Sequence, residues 1–297
     1  MIIVQLAGGL GNQMFQYAFG RSLSHKFNIR FKADIESWFN SDKLWRPSER
    51  KYSLDIFKLS VEKASKNEIL IFKSLKNISK YLEIQKLQLN KFLPFTYLEE
   101  GQLKTSEIKV ASRNIYVTGY WQSEKYFSSI QQILLNDFQF RYEQTSINKA
   151  LSREIISNNS ISLHIRRGDY ISDSQTNNIM APCTLEYYYT CIKELEKKFS
   201  DLHFYIFSDD IKWAEENLEI DHPVKYVDFN IGNYAFEDMR LMSQCKHNII
   251  ANSSFSWWGA WLNKNPEKIV IAPQKWFNDP ILNSQASDIV PESWMRL

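Results

Sequence analysis

From residue 160 to residue 273 strand-like and helix-like segments alternate one for one, and nothing else in the chain constrains the fold as strongly. Ile161, Leu163 and Ile165 interleave with Ser162, His164 and Arg166, the period of two of a strand with one apolar face. After a loop, "TLEYYYTCIKELEKKF" sets Leu185, Tyr188, Tyr189, Ile192, Leu195 and Phe199 along one side of a helix. "HFYIF" (203–207), "VKYVDF" (224–229), "NIIA" (248–251) and "KIVIAP" (268–273) read as strands, with "IKWAEENL", "AFEDMRLMSQC" and "SFSWWGAWL" as the helices between them. Such a pattern predicts a parallel sheet, because parallel neighbours need a long crossover and a helix supplies it.

The N-terminal half opens in the same way. "IIVQL" is a strand, "AGGLGN" a glycine-rich turn, and "QMFQYAFGRSLSHKF" a helix with Phe15, Phe19, Leu23 and Phe27 four apart. "NIRFKADI" and "NIYVTGYW" (114–121) are further strands. Residues 60 to 115 carry Lys- and Leu-rich helical stretches broken at Pro94, without a clear element order. The polar run "EQTSINKALSREIISNNS" (143–160) marks the boundary, so the expectation is an α/β domain over 1–155 and a second over 156–297, with a cleft between them. The 44% hydrophobic content of the 297 residues is enough for cores of that size.

Charge and cysteines exclude several classes. A formal charge of +2 gives no basis for binding nucleic acid. Cys183, Cys191 and Cys245 lack metal-ligand spacing and suit buried thiols in a reducing compartment. Met1 opens directly onto "IIVQLAGG" without a basic leader, and no run nears the roughly 18 apolar residues of a membrane span. A cytoplasmic protein is expected, with at most peripheral contact at the inner membrane. The five histidines are scattered, and no D-x-D, H-E-x-x-H or G-x-S-x-G occurs, so neither a dedicated metal site nor a serine-hydrolase elbow is expected.

Four stretches carry candidate chemistry. In "HIRRGDY", His164 and Arg166 share a strand face, and Arg167, Gly168 and Asp169 fall where the strand ends, which is where open α/β sheets bind ligands. Arginine there suits a phosphate, although an Arg–Asp pair on a surface turn is the plainer reading. Asn252, Ser253 and Ser254 precede a helix whose free N–H groups attract anions, or simply cap it. Trp257, Trp258 and Trp261 read as core filling, and Gly259 as a point of close packing. Gly9 and Gly11 let a ligand approach the backbone, with Asn12 and Gln13 as neutral polar groups, although the turn fits neither G-x-G-x-x-G nor the phosphate-loop motif. "FSDD" reads as a helix cap through Ser208 or Asp209, and Asp238 as a helix-terminus charge or an acceptor for a purine edge.

Together, "GGLGNQMFQYAFG", "GYWQSEKYF", "HIRRGDY", "FSDD" and "EDMRLMSQCKHNIIANSSFSWWGAWL" resemble the α-1,2-fucosyltransferases of glycosyltransferase family 11, in the family's order and over nearly the whole chain. The resemblance implies a GT-B architecture, two Rossmann-like domains across a cleft, with acceptor on the first and GDP-fucose on the second. It implies an inverting reaction without metal or other cofactor. Arg166 then grips the diphosphate, Arg167 matches a second arginine, and His164 lies beside the nucleotide. Asp238 reads guanine, and Ser253, Ser254 and Phe255 wrap phosphates and base. Asn12 lies near the sugar and its leaving oxygen. Arg166, Asn12 and His164 are thereby implicated in catalysis.

The function so implied moves L-fucose from GDP-β-L-fucose to the 2-hydroxyl of a β-galactoside, on a galactose-terminated glycan of a surface polysaccharide. The alternatives are another acceptor or linkage, or a nucleotide-sugar-binding protein without turnover. No general base stands out; Glu124, Asp34 and Asp169 merely adjoin the motifs.

Overall fold

The computed structural model describes residues 1–39, 50–81, 95–100, 112–180 and 182–297. The chain divides into two units, Met1–Arg141 and Tyr142–Leu297.

The first unit holds β1 (Ile2–Gln5), α1 (Leu10–Phe27), β2 (Phe31–Asp34), β3 (Glu62–Lys63), α2 (Lys66–Tyr81), β4 (Thr96–Glu99), β5 (Ile115–Thr118) and α3 (Gln131–Asp137). Its strands lie in the order β3-β2-β1-β5-β4, all parallel. The stretch without a legible order thus contributes β3, α2 and β4, of which α2 packs Ile69 and Phe72 against Ile3 and Tyr116. Pro94 lies outside the described residues. β5 stops at Thr118, short of the expected Trp121, because Gly119 and Trp121 have φ of 119° and 56° and cannot continue a strand. Trp121 instead stacks on Phe19 of α1, ring centres 4.0 Å apart.

The second unit runs α4 (Ser146–Ser157), β6 (Ser160–Ile165), α5 (Gly168–Ser172), α6 (Ser174–Ile179), α7 (Leu185–Glu196), β7 (His203–Ser208), α8 (Ile211–Asn217), β8 (Val224–Val227), α9 (Phe236–Met242), β9 (His247–Ile249), α10 (Ser254–Trp261), β10 (Val270–Ala272), α11 (Pro280–Gln285) and β11 (Met295–Arg296). Every strand and helix expected from the alternating pattern is present, with α5 and α6 inside the expected loop and α4 inside the expected boundary. α4 belongs to the second unit: Leu151 and Ile155 pack with Leu241 and Met242 of α9 and with Tyr205 and Phe207 of β7.

β7 shows why the sheet is covered twice. Phe204 and Ile206 face α7 and α8, whereas Tyr205 and Phe207 face α4 and α9. On β6, Ile161, Leu163 and Ile165 pack on the first of these faces, which leaves His164 on the second. The strand order is β11-β10-β9-β6-β7-β8, parallel throughout. The order reverses between β6 and β9, so the loops after these two strands splay apart at their carboxyl ends, the place where such sheets take ligands. In the first unit β1 lies between β2 and β5. Among the described residues no helix is long and apolar enough to cross a membrane.

Candidate active site

The motif after β6 and the motif after β9 meet at the reversal point of the second sheet. His164, near the end of β6, is 5% exposed, and its Nδ1 has no hydrogen-bond partner among the described residues. Burial pushes its pKa down to about 4; Asp209 opposes the shift and the charge of Arg166 adds to it. The ring is therefore neutral at pH 7, a hydrogen-bonding group rather than a cation. It lies 6.0 Å from the ring of Phe255 in α10.

Arg166 is clamped. Its Nη2 donates to Asp169 Oδ1 at 2.6 Å, and its Nη1 lies 3.1 Å from Asp209 Oδ2. The acid at the end of β7, expected as a helix cap, is thus a partner of the arginine motif; the cap of α8 is Asp210, which accepts from Trp213 N. Asp209 Oδ1 also accepts the Arg167 N–H at 2.9 Å. A Cβ at Gly168 would lie 2.5 Å from Asp209 Oδ2, so any larger residue there has to displace this carboxylate from its place. Tyr170 OH donates to Asn252 O at 2.9 Å and ties α5 to the loop after β9.

On the other side of the reversal point, Ser253 caps α10 by accepting from Phe255 N, and Ser254 opens the helix. Asn252 does not present its amide to a ligand. It is 2% exposed, donates to Trp276 O at 2.9 Å and accepts from Cys183 Sγ, so the expected binding residue shapes the loop from inside. Trp257, Trp258 and Trp261 are buried, and a Cβ on Gly259 would meet Met242 at 3.0 Å, in keeping with core packing.

Asp238 stands in the first turn of α9, half-buried, and accepts from Asn230 Nδ2 at 2.8 Å. Asn230 exchanges two hydrogen bonds with Asn148 of α4. Burial pushes the Asp238 carboxyl up to about 7, with Asn230 pulling the other way and Glu237 adding to the rise. A bare helix-terminus charge in water would not need such an amide relay.

In the first unit the glycine-rich turn follows β1, whose neighbours in the sheet are β2 and β5. Gly8, with φ of 74°, makes the turn rather than Gly9 or Gly11. A Cβ on Gly9 would collide with Arg50 Nη1 at 2.6 Å, which places a guanidinium over the loop that sequence reasoning missed. Asn12 accepts from Gln122 Nε2 at 2.8 Å, joining "GGLGN" to "GYWQ". Gln13 is fully buried and bonds Gly8 O, Lys51 O and Ser53 N, so it braces the turn and offers nothing to a ligand. Asp34 is equally enclosed, accepting from Glu36 N, Ser37 N and Tyr116 OH. Full burial keeps Asp34 away from an acceptor hydroxyl, and Asp169 is engaged by Arg166. Glu124 is half-buried in the turn after β5. Among the described residues no three His, Cys, Asp or Glu side chains gather as around a metal ion.

This arrangement can hold an anion at a strand end between two arginines and a helix N-terminus. The family profile described as "Glycosyl transferase family 11" matches residues 1–297. The chain belongs to this family. The transferase is 38% identical to an alpha-1,2-colitosyltransferase of Escherichia coli over 310 aligned residues, covering 100% of this chain and 99% of the relative. It is 34% identical to the O-antigen biosynthesis glycosyltransferase WbnK of Escherichia coli, covering 98% and 99%. Among solved structures it resembles fucosyltransferase NodZ from Bradyrhizobium with a TM-score of 0.53 at 15% identity, covering 87% of this chain and 90% of that one. At that identity the likeness speaks to fold alone: each unit of the transferase is a parallel-sheet α/β domain, as GT-B enzymes require of both halves.

Proposed function

We propose that the transferase carries L-fucose from GDP-β-L-fucose to the 2-hydroxyl of a terminal β-galactoside, with inversion at the sugar C1. The observation that carries this reading is the cluster at the β6–β9 reversal point: a buried neutral His164 with an unbonded Nδ1, two arginines, and the N-terminus of α10. A leaving diphosphate gains negative charge as the C1–O bond breaks, and fixed guanidinium and N–H dipoles meet that charge without reorganising. The acceptor oxygen forms its bond to C1 from the opposite face while its proton leaves to solvent or a base. No metal is required in this scheme, since arginine supplies the positive charge. Asp238 accepts from the guanine edge, and the acceptor glycan belongs to a surface polysaccharide assembled on the cytoplasmic side. That NodZ has been soaked with GDP-fucose agrees with this donor class.

A second reading is favoured by the 38% identity to a colitosyltransferase. Colitose is fucose without its 3-hydroxyl, so the same cluster serves either GDP-sugar. The two differ in whether the sugar pocket bonds that hydroxyl. A pocket that does so rejects the deoxy donor strongly, by roughly 10⁴-fold, because its polar groups are left unpaired. Incubation with GDP-fucose and GDP-colitose in parallel, over a panel of galactosides with product linkage by NMR, decides between them. A product linked elsewhere than at the 2-hydroxyl removes the linkage, and no transfer from either donor removes the reading as a whole.

A further inference from the structure

Arg166 and Arg167 are neighbours in sequence, yet their guanidinium groups are held in different ways. Both terminal nitrogens of Arg166 meet carboxylates, Asp169 and Asp209. Arg167 is anchored at the root of its fork, with Nε 3.3 Å from Asp210 Oδ2. Its Nη1 and Nη2 have no hydrogen-bond partner among the described residues, although the side chain is only 19% exposed. Its Cζ lies 3.7 Å from the ring centre of Trp213 in α8. Only a guanidinium above the ring face reaches that distance; an approach in the ring plane would add the ring radius to a contact distance of about 3.5 Å.

We infer that Trp213 is a positioning residue for the donor: stacked beneath Arg167, it holds that arginine's two terminal nitrogens open for the diphosphate. The inference rests on the GDP-sugar reading above. Asp210 bonds the Nε edge and Trp213 covers one face, so the donors left over are the pair that bonds two phosphate oxygens at once. An arginine free to rotate would have to be ordered when the ligand binds. One already stacked has been ordered by folding, and binding no longer bears that cost. Trp213 also touches the apolar cluster under α7 and α8, so a purely structural role is the competing account.

A thermodynamic cycle separates the two. GDP binding is measured by calorimetry on wild type, Trp213→Leu, Trp213→Phe, Arg167→Ala and the double variant Trp213→Leu/Arg167→Ala, with melting temperatures alongside. Trp213→Leu is expected to weaken GDP binding by about three- to tenfold, the range of a partly buried cation–π contact, and Trp213→Phe to recover part of it. In the Arg167→Ala background Trp213→Leu is expected to change nothing further. A structural tryptophan would instead lower the melting temperature and leave GDP affinity alone, or weaken it equally in both backgrounds; either result overturns the inference. Failure of the wild-type protein to bind GDP would overturn the donor reading, and this inference with it.

Discussion

Asp209 and Arg166 face each other across the ends of two adjacent strands, Oδ2 to Nη1 at 3.1 Å. The pair joins "FSDD" to "HIRRGDY", which are 42 residues apart in the chain at Arg167 and Asp209. It fixes the arginine before any ligand arrives. Arg166→Ala is expected to reduce kcat/KM by about 10²- to 10³-fold, the loss seen when a preorganised donor to developing charge is removed. It also leaves Asp169 and Asp209 uncompensated, at about 3–5 kcal/mol of stability, so the melting temperature has to be recorded with the rate. Arg166→Lys keeps the charge and loses the fork, and it is expected to be nearly as slow. Turnover by Arg166→Lys close to wild type would take this residue out of the diphosphate site.

Asp238 sets a pH dependence. With its carboxyl pushed up to about 7 mainly by burial, the folded protein holds a proton that the unfolded chain has already lost from about pH 4 upwards. Its contribution to stability therefore falls as pH rises through that window, and Asp238→Asn is expected to flatten the decline. Guanine offers N–H donors, which an ionised carboxylate accepts. GDP affinity of the wild type is thus expected to rise between pH 6 and pH 8 more steeply than that of Asp238→Asn, in which the titration of GDP itself is the same. The variant is also expected to lose part of the preference for GDP over UDP. Calorimetry at several pH values on both proteins checks this, and parallel curves would return Asp238 to a structural role.

Asn252 offers the opposite test. Its amide bonds Trp276 O and the thiol of Cys183 inside the protein. Asn252→Ala is expected to cost about 1–3 kcal/mol of stability, the penalty for a buried carbonyl left without its donor. GDP affinity of the variant, measured below its melting temperature, should change less than that of Arg167→Ala. A large loss of affinity with an unchanged melting point would restore Asn252 to the ligand-binding residues.

Activity is expected to survive EDTA. The proposed scheme gives the task of neutralising the diphosphate to guanidinium groups and the α10 N-terminus, so chelation removes nothing it uses. A rate that falls with EDTA and returns with Mg²⁺ or Mn²⁺ would replace it with a metal-assisted mechanism.

Much of this protein is legible in the chain alone. The one-for-one alternation of period-two and helical segments determines a parallel sheet in the second half, since each crossover has to be long enough to return to the same edge. Arginines at the end of one strand and an Asn-Ser-Ser turn at the end of another follow from local pattern, as does the family resemblance. Partner choice across the sheet was decided only by tertiary structure. Asp209 reads locally as a cap, yet pairing of β6 with β7 brings it to Arg166 and leaves the capping to Asp210. Trp213 reads as one apolar position of a short helix until Arg167 is found stacked on it. Gln13 and Asp34 read as available polar groups, but burial turns them inward, because an enclosed amide or carboxylate has to satisfy its hydrogen bonds within the fold. Local sequence determines which elements form and where chain ends of strands place their polar residues. Which of those residues remain open to a ligand depends on contacts between segments far apart, and no short window of sequence contains them.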